Sequence, residues 1–227
     1  MSLEDLINHL IFRLNKLPFK IVMMKKIIVL LCAFAVMTGI VSAQEGGSVI
    51  FNYSVGFTAG STKDFISPVS GRGFNFDFRY NVRENVSIGA VVGWNYFFEK
   101  KDRAVYQLTQ NNITADVSSV QQRFLNIVPL MGQVQYRFIS GSSPIIPYLG
   151  VAVGGYNVDY EKYTANILDE VKRWDFGFAP HLGVFIPFAS GEVGINLEVK
   201  YNYINFSYNE INNISYFDTN FGVFFNF

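Results

Sequence analysis

The feature that most constrains this chain is a two-residue hydrophobic period that recurs eight times between residue 49 and the C-terminus. Phe74-Asn75-Phe76-Asp77-Phe78-Arg79-Tyr80-Asn81-Val82 is the clearest instance. Successive side chains of an extended strand point to opposite faces, so this segment carries an apolar face and a polar one. The same pattern marks 49–59, 86–97, 124–138, 148–158, 174–186, 193–203 and 216–227. Pro129 lacks a ladder donor and predicts a bulge or a rim position, and Gly154-Gly155 predicts a break of register. Each segment is about ten residues, the length at which a tilted strand crosses a bilayer.

The connections between these segments alternate long and short. Those at 60–73, 98–123, 159–173 and 204–215 are long; those at 83–85, 139–147 and 187–192 are shorter. A meander of this kind keeps its termini and short turns on one side and its long connections on the other. Composition removes other classes. Charged residues make up 16% of the chain, with 18 Lys and Arg against 18 Asp and Glu, and aromatics 17%. Such a balance argues against disorder and against nucleic acid as a partner. Beyond residue 43 no apolar run approaches the ~18 residues of a spanning helix.

The single apolar run lies near the N-terminus. Lys25-Lys26 precede an uncharged stretch from Ile27 to Gly39, and Val41-Ser42-Ala43 supplies small residues before Gln44. This is the layout of a secretory signal, with cleavage expected after Ala43. Residues 24–43 are therefore read as the signal peptide and 44–227 as one domain. Residues 1–23 are read as an upstream extension from a misassigned start, with a cleaved amphipathic leader as the other possibility. The one cysteine, Cys32, lies within the signal. An exported domain without cysteine needs a large hydrogen-bonded framework in place of disulfides, which favours a barrel.

Tyr and Trp recur near segment ends, at Tyr80, Trp94, Tyr96, Tyr136, Tyr148, Tyr156, Trp174, Tyr201 and Tyr203. Interfacial girdles place their amphipathic rings at such positions. The export signal, the eight amphipathic segments and the ending Phe221-Gly222-Val223-Phe224-Phe225-Asn226-Phe227 together resemble the small outer-membrane β-barrel family, which includes outer membrane proteins A and X. Pro147-Tyr148-Leu149-Gly150 is similar to a strand motif of those barrels. The resemblance implies an all-β, eight-stranded antiparallel up-and-down barrel in the bacterial outer membrane. It also implies that Phe221, Val223, Phe225 and Phe227 form the signal read by the barrel-assembly machinery.

In an eight-stranded barrel the inward side chains fill the lumen and must satisfy one another. Segment parity assigns to that set Asp77, Arg79, Gln133, Gln135, Arg137, Asp175, His181, Glu198, Lys200 and Asp218. Its acids and bases nearly balance, as expected of a polar network that plugs the lumen. The same residues would line a narrow pore or transporter for small solutes or hydrophobic molecules. An enzyme acting on outer-membrane lipids is the third reading. Beyond the signal, however, the only histidine is His181, whose parity points inward, so a base beside a nucleophile is not expected. No catalytic residue, metal or cofactor is assigned.

Binding would then reside in the long connections. Glu99-Lys100-Lys101-Asp102-Arg103 at the base of the longest could meet lipopolysaccharide phosphates, while Asp159, Glu161, Asp169 and Glu170 make 159–173 acidic. A non-enzymatic structural or surface-interaction role, among outer-membrane lipids and through long outer loops, is the first expectation. A soluble eight-stranded ligand barrel, with the aromatic stripes turned inward, is the alternative fold.

Overall fold

The computed structural model describes residues 46–110, 113–139, 145–165, 167–189 and 191–227. The leader and signal expected in residues 1–43 lie outside them. Eight strands follow in order: β1 (Gly47–Ala59), β2 (Gly73–Arg83), β3 (Val86–Gln110), β4 (Ile113–Arg137), β5 (Ile146–Thr164), β6 (Ile167–Pro187), β7 (Val193–Tyr208) and β8 (Ile211–Asn226). A short helix, α1 (Gly60–Phe65), sits between β1 and β2. Each strand pairs antiparallel with the next, and β8 pairs with β1, so the sheet closes. The expected all-β, eight-stranded antiparallel up-and-down barrel is therefore the observed fold.

Following paired residues around the ring shows how the closure is made. The path from Phe176 runs through Gly155, Leu130, Val92, Phe76, Phe51, Val223 and Ile195, and returns to β6 at Ile186, ten residues from its start. That stagger tilts the strands by about 40° to the barrel axis.

The apolar stripes face outward. Phe51, Leu130, Val151, Leu182, Phe221 and Phe225 are all at least 43% exposed, whereas Asp77, Arg79, Glu198 and Lys200 on the opposite faces are at most 2% exposed. A soluble ligand barrel would show the reverse.

Three of the expected long connections are not loops. β3 and β4 run on as a paired hairpin through Leu108↔Ala115 to Gln110↔Ile113, β5 and β6 pair to Thr164↔Ile167, and β7 and β8 to Tyr208↔Ile211. In the outer parts of β5 and β7 the alternation continues with its sense inverted. On β7 the inward residues change from Asn196, Glu198, Lys200 and Asn202 to the buried Ile204 and Phe206, while Asn205 and Ser207 turn outward and are exposed. On β5, Val158 and Tyr160 are inward and fully buried. Within the bilayer the surroundings are apolar and the lumen takes the polar side chains. Above it water surrounds the wall, so the interior becomes an ordinary apolar core. Only 60–72 remains a true connection, made of α1 and a segment laid against β3.

Pairing also corrects two local expectations. β5 keeps one register with both neighbours across Gly154 and Gly155, so no break occurs there. Pro129 lies inside β4, where the β3 ladder lacks the rungs at Gly93 and Trp94 but resumes at Asn95↔Ile127 in unchanged register. The missing N–H of Pro129 is absorbed without a bulge.

Candidate functional site

Among the described residues the lumen gathers the most deeply buried charged side chains, and its centre is an ion-paired cluster. Arg79 on β2 donates through Nη2 to Asp77 Oδ2 at 2.6 Å and to Glu198 Oε2 at 3.1 Å. Lys200 Nζ lies 3.1 Å from Glu198 Oε1, which also accepts from Asn220 Nδ2 at 2.9 Å. β2 and β7 are not neighbours in the ring, so the Arg79–Glu198 contact crosses the lumen. Charges this deeply buried are tolerable only because each is paired, and Glu198, the carboxylate shared by both cations, also accepts from Asn220 and Tyr148.

An amide layer surrounds the ion pairs. Asn196 Nδ2 donates to Asn52 Oδ1 and Asn52 Nδ2 to Asn75 Oδ1, both at 2.8 Å, and Ser54 Oγ donates to Asn220 Oδ1 at 2.6 Å. Asp218 Oδ2 accepts from Asn202 at 3.0 Å and from Asn95 at 3.2 Å, and Tyr156 OH donates to Asn202 Oδ1 at 3.0 Å. The lumen set read from the sequence held the charged groups, two glutamines and His181 and did not single out these asparagines. The signal was nonetheless present, because Asn52, Asn75, Asn95, Asn196, Asn202 and Asn220 share the parity of their charged neighbours.

The other residues assigned to the lumen fall into different places. His181 is buried, with Nδ1 3.3 Å from the Ala179 carbonyl oxygen and its ring beside Tyr148. Gln133 and Gln135 point inward and are buried, and among the described residues neither side-chain amide has a hydrogen-bond partner. Arg137 lies at the short-turn end, donating through Nη2 to the Glu84 carbonyl at 2.8 Å. Asp175 lies towards the other end and pairs with Arg173 Nε at 2.9 Å.

Gly150 makes room for the His181 ring. A Cβ there would fall 2.5 Å from His181 Nε2 and 2.6 Å from the Val134 carbonyl oxygen. Because one obstacle is backbone, Gly150→Ala is expected to destabilise the barrel by about 1–3 kcal/mol, read as a lower urea midpoint.

The interior is not polar throughout, which corrects the expected plug. Towards the outside, Phe65, Ile66, Phe97, Leu125, Ile127, Val158, Tyr160, Ile204, Phe206, Ile211, Ile214 and Tyr216 form an apolar cluster. Towards the termini, Ile50, Tyr148, Phe185 and Phe224 form a second. Tyr148 is thus no girdle residue. It is 2% exposed, and its hydroxyl lies 2.7 Å from Asn196 Oδ1 and 3.0 Å from Glu198 Oε2. Tyr156 is likewise inward. Parity decides both cases, because unbroken register across Gly154-Gly155 puts even-numbered β5 residues inside.

The other assigned aromatics face outward. Trp94 donates to Asn126 Oδ1 at 2.6 Å and stacks on Tyr96, Tyr201 packs on Phe217, and Tyr203 packs on Phe178. Trp174 and Tyr136 are exposed, and Tyr80 shares the outward face of β2. Phe221, Val223 and Phe225 also face outward, and Phe227 packs against Phe78.

Above the girdle, Glu99 bonds the backbone N–H of Ser67 at 3.0 Å and pairs with Lys101 at 2.7 Å. Partial burial works against its charged form, but Lys101 and Ser67 outweigh it and hold the carboxyl below its ordinary range. The basic cluster is therefore already partly neutralised from within.

Residues 27–227 match the family described as "Outer membrane protein beta-barrel domain". No curated protein matches the chain by sequence. Among solved structures, Neisserial surface protein A is similar, with TM-score 0.52 and 17% identity over 81% of this chain and 98% of that one. The attachment invasion locus protein Ail of Yersinia pestis gives TM-score 0.47 and 11% identity, covering 81% and 100% of the two chains. Escherichia coli outer membrane protein W gives 0.45 and 12%, covering 82% and 100%.

Proposed function

Because this chain belongs to the outer membrane protein β-barrel domain family and resides in the bacterial outer membrane, we propose that it is a non-enzymatic structural and surface protein with a closed lumen. The observation that carries this reading is the set of contacts joining strands across the interior. Arg79 reaches Glu198 from β2 to β7, Asn95 reaches Asp218 from β3 to β8, and Phe97 packs on Tyr216 with ring centroids 5.3 Å apart. With apolar clusters on both sides of the polar layer, an ion would have to break buried pairs and then cross a dry core. Folded protein in a planar bilayer is therefore expected to give no discrete conductance steps. Steps that change size in Glu198→Ala would overturn the closed lumen and favour the narrow pore.

What the barrel presents outward is three projecting hairpins rather than long loops. The β3–β4 hairpin carries exposed Lys100 and Arg103, which are suited to lipopolysaccharide phosphates. At the other end of the chain β8, with Phe221, Val223, Phe225 and Phe227, is the segment proposed to be read by the barrel-assembly machinery. His181, enclosed in the lumen, supports the non-enzymatic reading, because a lipid substrate could not meet it without opening the wall.

A further inference from the structure

Main-chain pairing in the outer wall ends early at two places. At the first, β2 begins only at Gly73, and 60–72 fills the gap beside β3. There Tyr96 N–H donates to the Arg72 carbonyl at 3.0 Å, Ser70 OH bonds the Tyr96 carbonyl, and Arg123 Nη1 bonds the Phe65 carbonyl at 2.8 Å. At the second, the β6–β7 ladder ends at Gly177↔Ile204, although β6 continues outward to Ile167 and β7 to Tyr208. Below that point the rungs at Ala179 and Pro180 are also missing.

Among the described residues no segment fills this second gap, and side chains alone bridge it. Arg173 Nη2 on β6 donates to the Ser207 carbonyl on β7 at 3.1 Å, and its guanidinium lies 4.6 Å from the centre of the Phe206 ring. Tyr208 OH and Asn209 Nδ2 donate to the Asp169 carboxylate at 2.7 and 2.6 Å. On the membrane side of the seam, Phe176 and Trp174 are 65% and 58% exposed. Directly behind it lie Ile204, Phe206, Val158 and Tyr160 of the outer apolar cluster.

We infer that the β6–β7 seam is a lateral opening through which an acyl chain of an outer-leaflet lipid reaches the apolar outer core. Lipid-exposed sheet edges do not occur within the hydrocarbon layer, so the end of the ladder at Gly177 marks where that layer gives way to headgroups. At that height the neighbouring phase is acyl chain below and water above, and only the former matches the apolar side chains behind the seam. The seam differs from the rest of the wall in what must move. Elsewhere a ladder of main-chain bonds would have to break, whereas here one arginine and one carboxylate change partners, which is rotamer motion on a fast timescale. The opening leads to the packed outer apolar core and leaves the ion-paired layer below it shut, so it extends the closed-lumen reading without depending on it.

The test uses the full chain refolded into vesicles of phosphatidylcholine brominated on its acyl chains, which quench tryptophan on contact. In a Trp94→Phe, Trp174→Phe background, Phe206→Trp reports from behind the seam and Phe97→Trp from the buried wall opposite. At least twofold stronger quenching is expected for Phe206→Trp, with a further increase in Arg173→Ala. Equal quenching at the two positions, unchanged by Arg173→Ala, would overturn the opening. A heat-modifiable gel shift verifies folding of each variant. Should Phe206→Trp not fold, photolysis of the unsubstituted chain with a diazirine-acyl phospholipid is expected to label Ile204, Phe206 or Val171. Label confined to outward residues such as Trp174 would overturn it equally.

Discussion

Arg79→Met is expected to lower the stability of the barrel by about 3–5 kcal/mol, one of the two largest effects anticipated for a single substitution here. Arg79 is 1% exposed and serves Asp77 and Glu198 at once. Methionine fills much of the volume but leaves two buried carboxylates with one cation, Lys200, between them. The measurement is a urea unfolding midpoint in lipid vesicles, followed by the heat-modifiable gel shift. Combining Arg79→Met with Glu198→Gln should recover part of the loss, because the second change removes one of the unpaired charges. A loss below about 1 kcal/mol for Arg79→Met would mean that water reaches these carboxylates, and the closed lumen would fall with it.

The second large effect concerns the opposite face of the wall. Leu130 is 56% exposed in the middle of the outward stripe of β4. Leu130→Arg is expected to cost about 2–4 kcal/mol, the penalty of a cation near the bilayer midplane. The control is Val105→Arg on the projecting part of β3, where Val105 is 68% exposed. Water surrounds that residue, and the change should stay within about 0.5 kcal/mol. If the two substitutions proved equal in vesicles, the inversion of the strand pattern above the girdle would not mark the membrane boundary.

Much of the fold was legible because a strand has only two faces. Phe74 to Val82 declares both of them, and no arrangement except a sheet with unlike environments on its two sides accommodates eight such segments. The outer hairpins were not legible in the same way. Reading outward along β5, apolar Leu149, Val151 and Val153 give way to Asn157, Asp159 and Glu161 on the same face, so the apolar stripe ends. The strand in fact continues with water replacing lipid outside and Val158 and Tyr160 replacing small residues within. A period of two survives that exchange, but its sense does not, and composition alone then resembles a loop.

The interior shows the same division. Parity was enough to send Asp77, Arg79, Glu198 and Lys200 inward, because lipid rejects charge. Which of them meet is a matter of stagger, since residues on β2 and β7 become partners only after the sheet has closed with its ten-residue offset. Tyr148 shows the limit of reading by residue type. A tyrosine near a strand end suits an interface, yet unbroken register through Gly154 turned it to Glu198. By itself the sequence determined the eight strand cores and their unlike faces, because these follow from local alternation; which face meets lipid was settled by the exposure of the apolar stripes in the closed barrel. The tertiary structure alone decided which charges pair, where the core turns apolar and where the wall is held by side chains rather than by its ladder. Those outcomes depend on register and closure, which bring together residues more than a hundred positions apart.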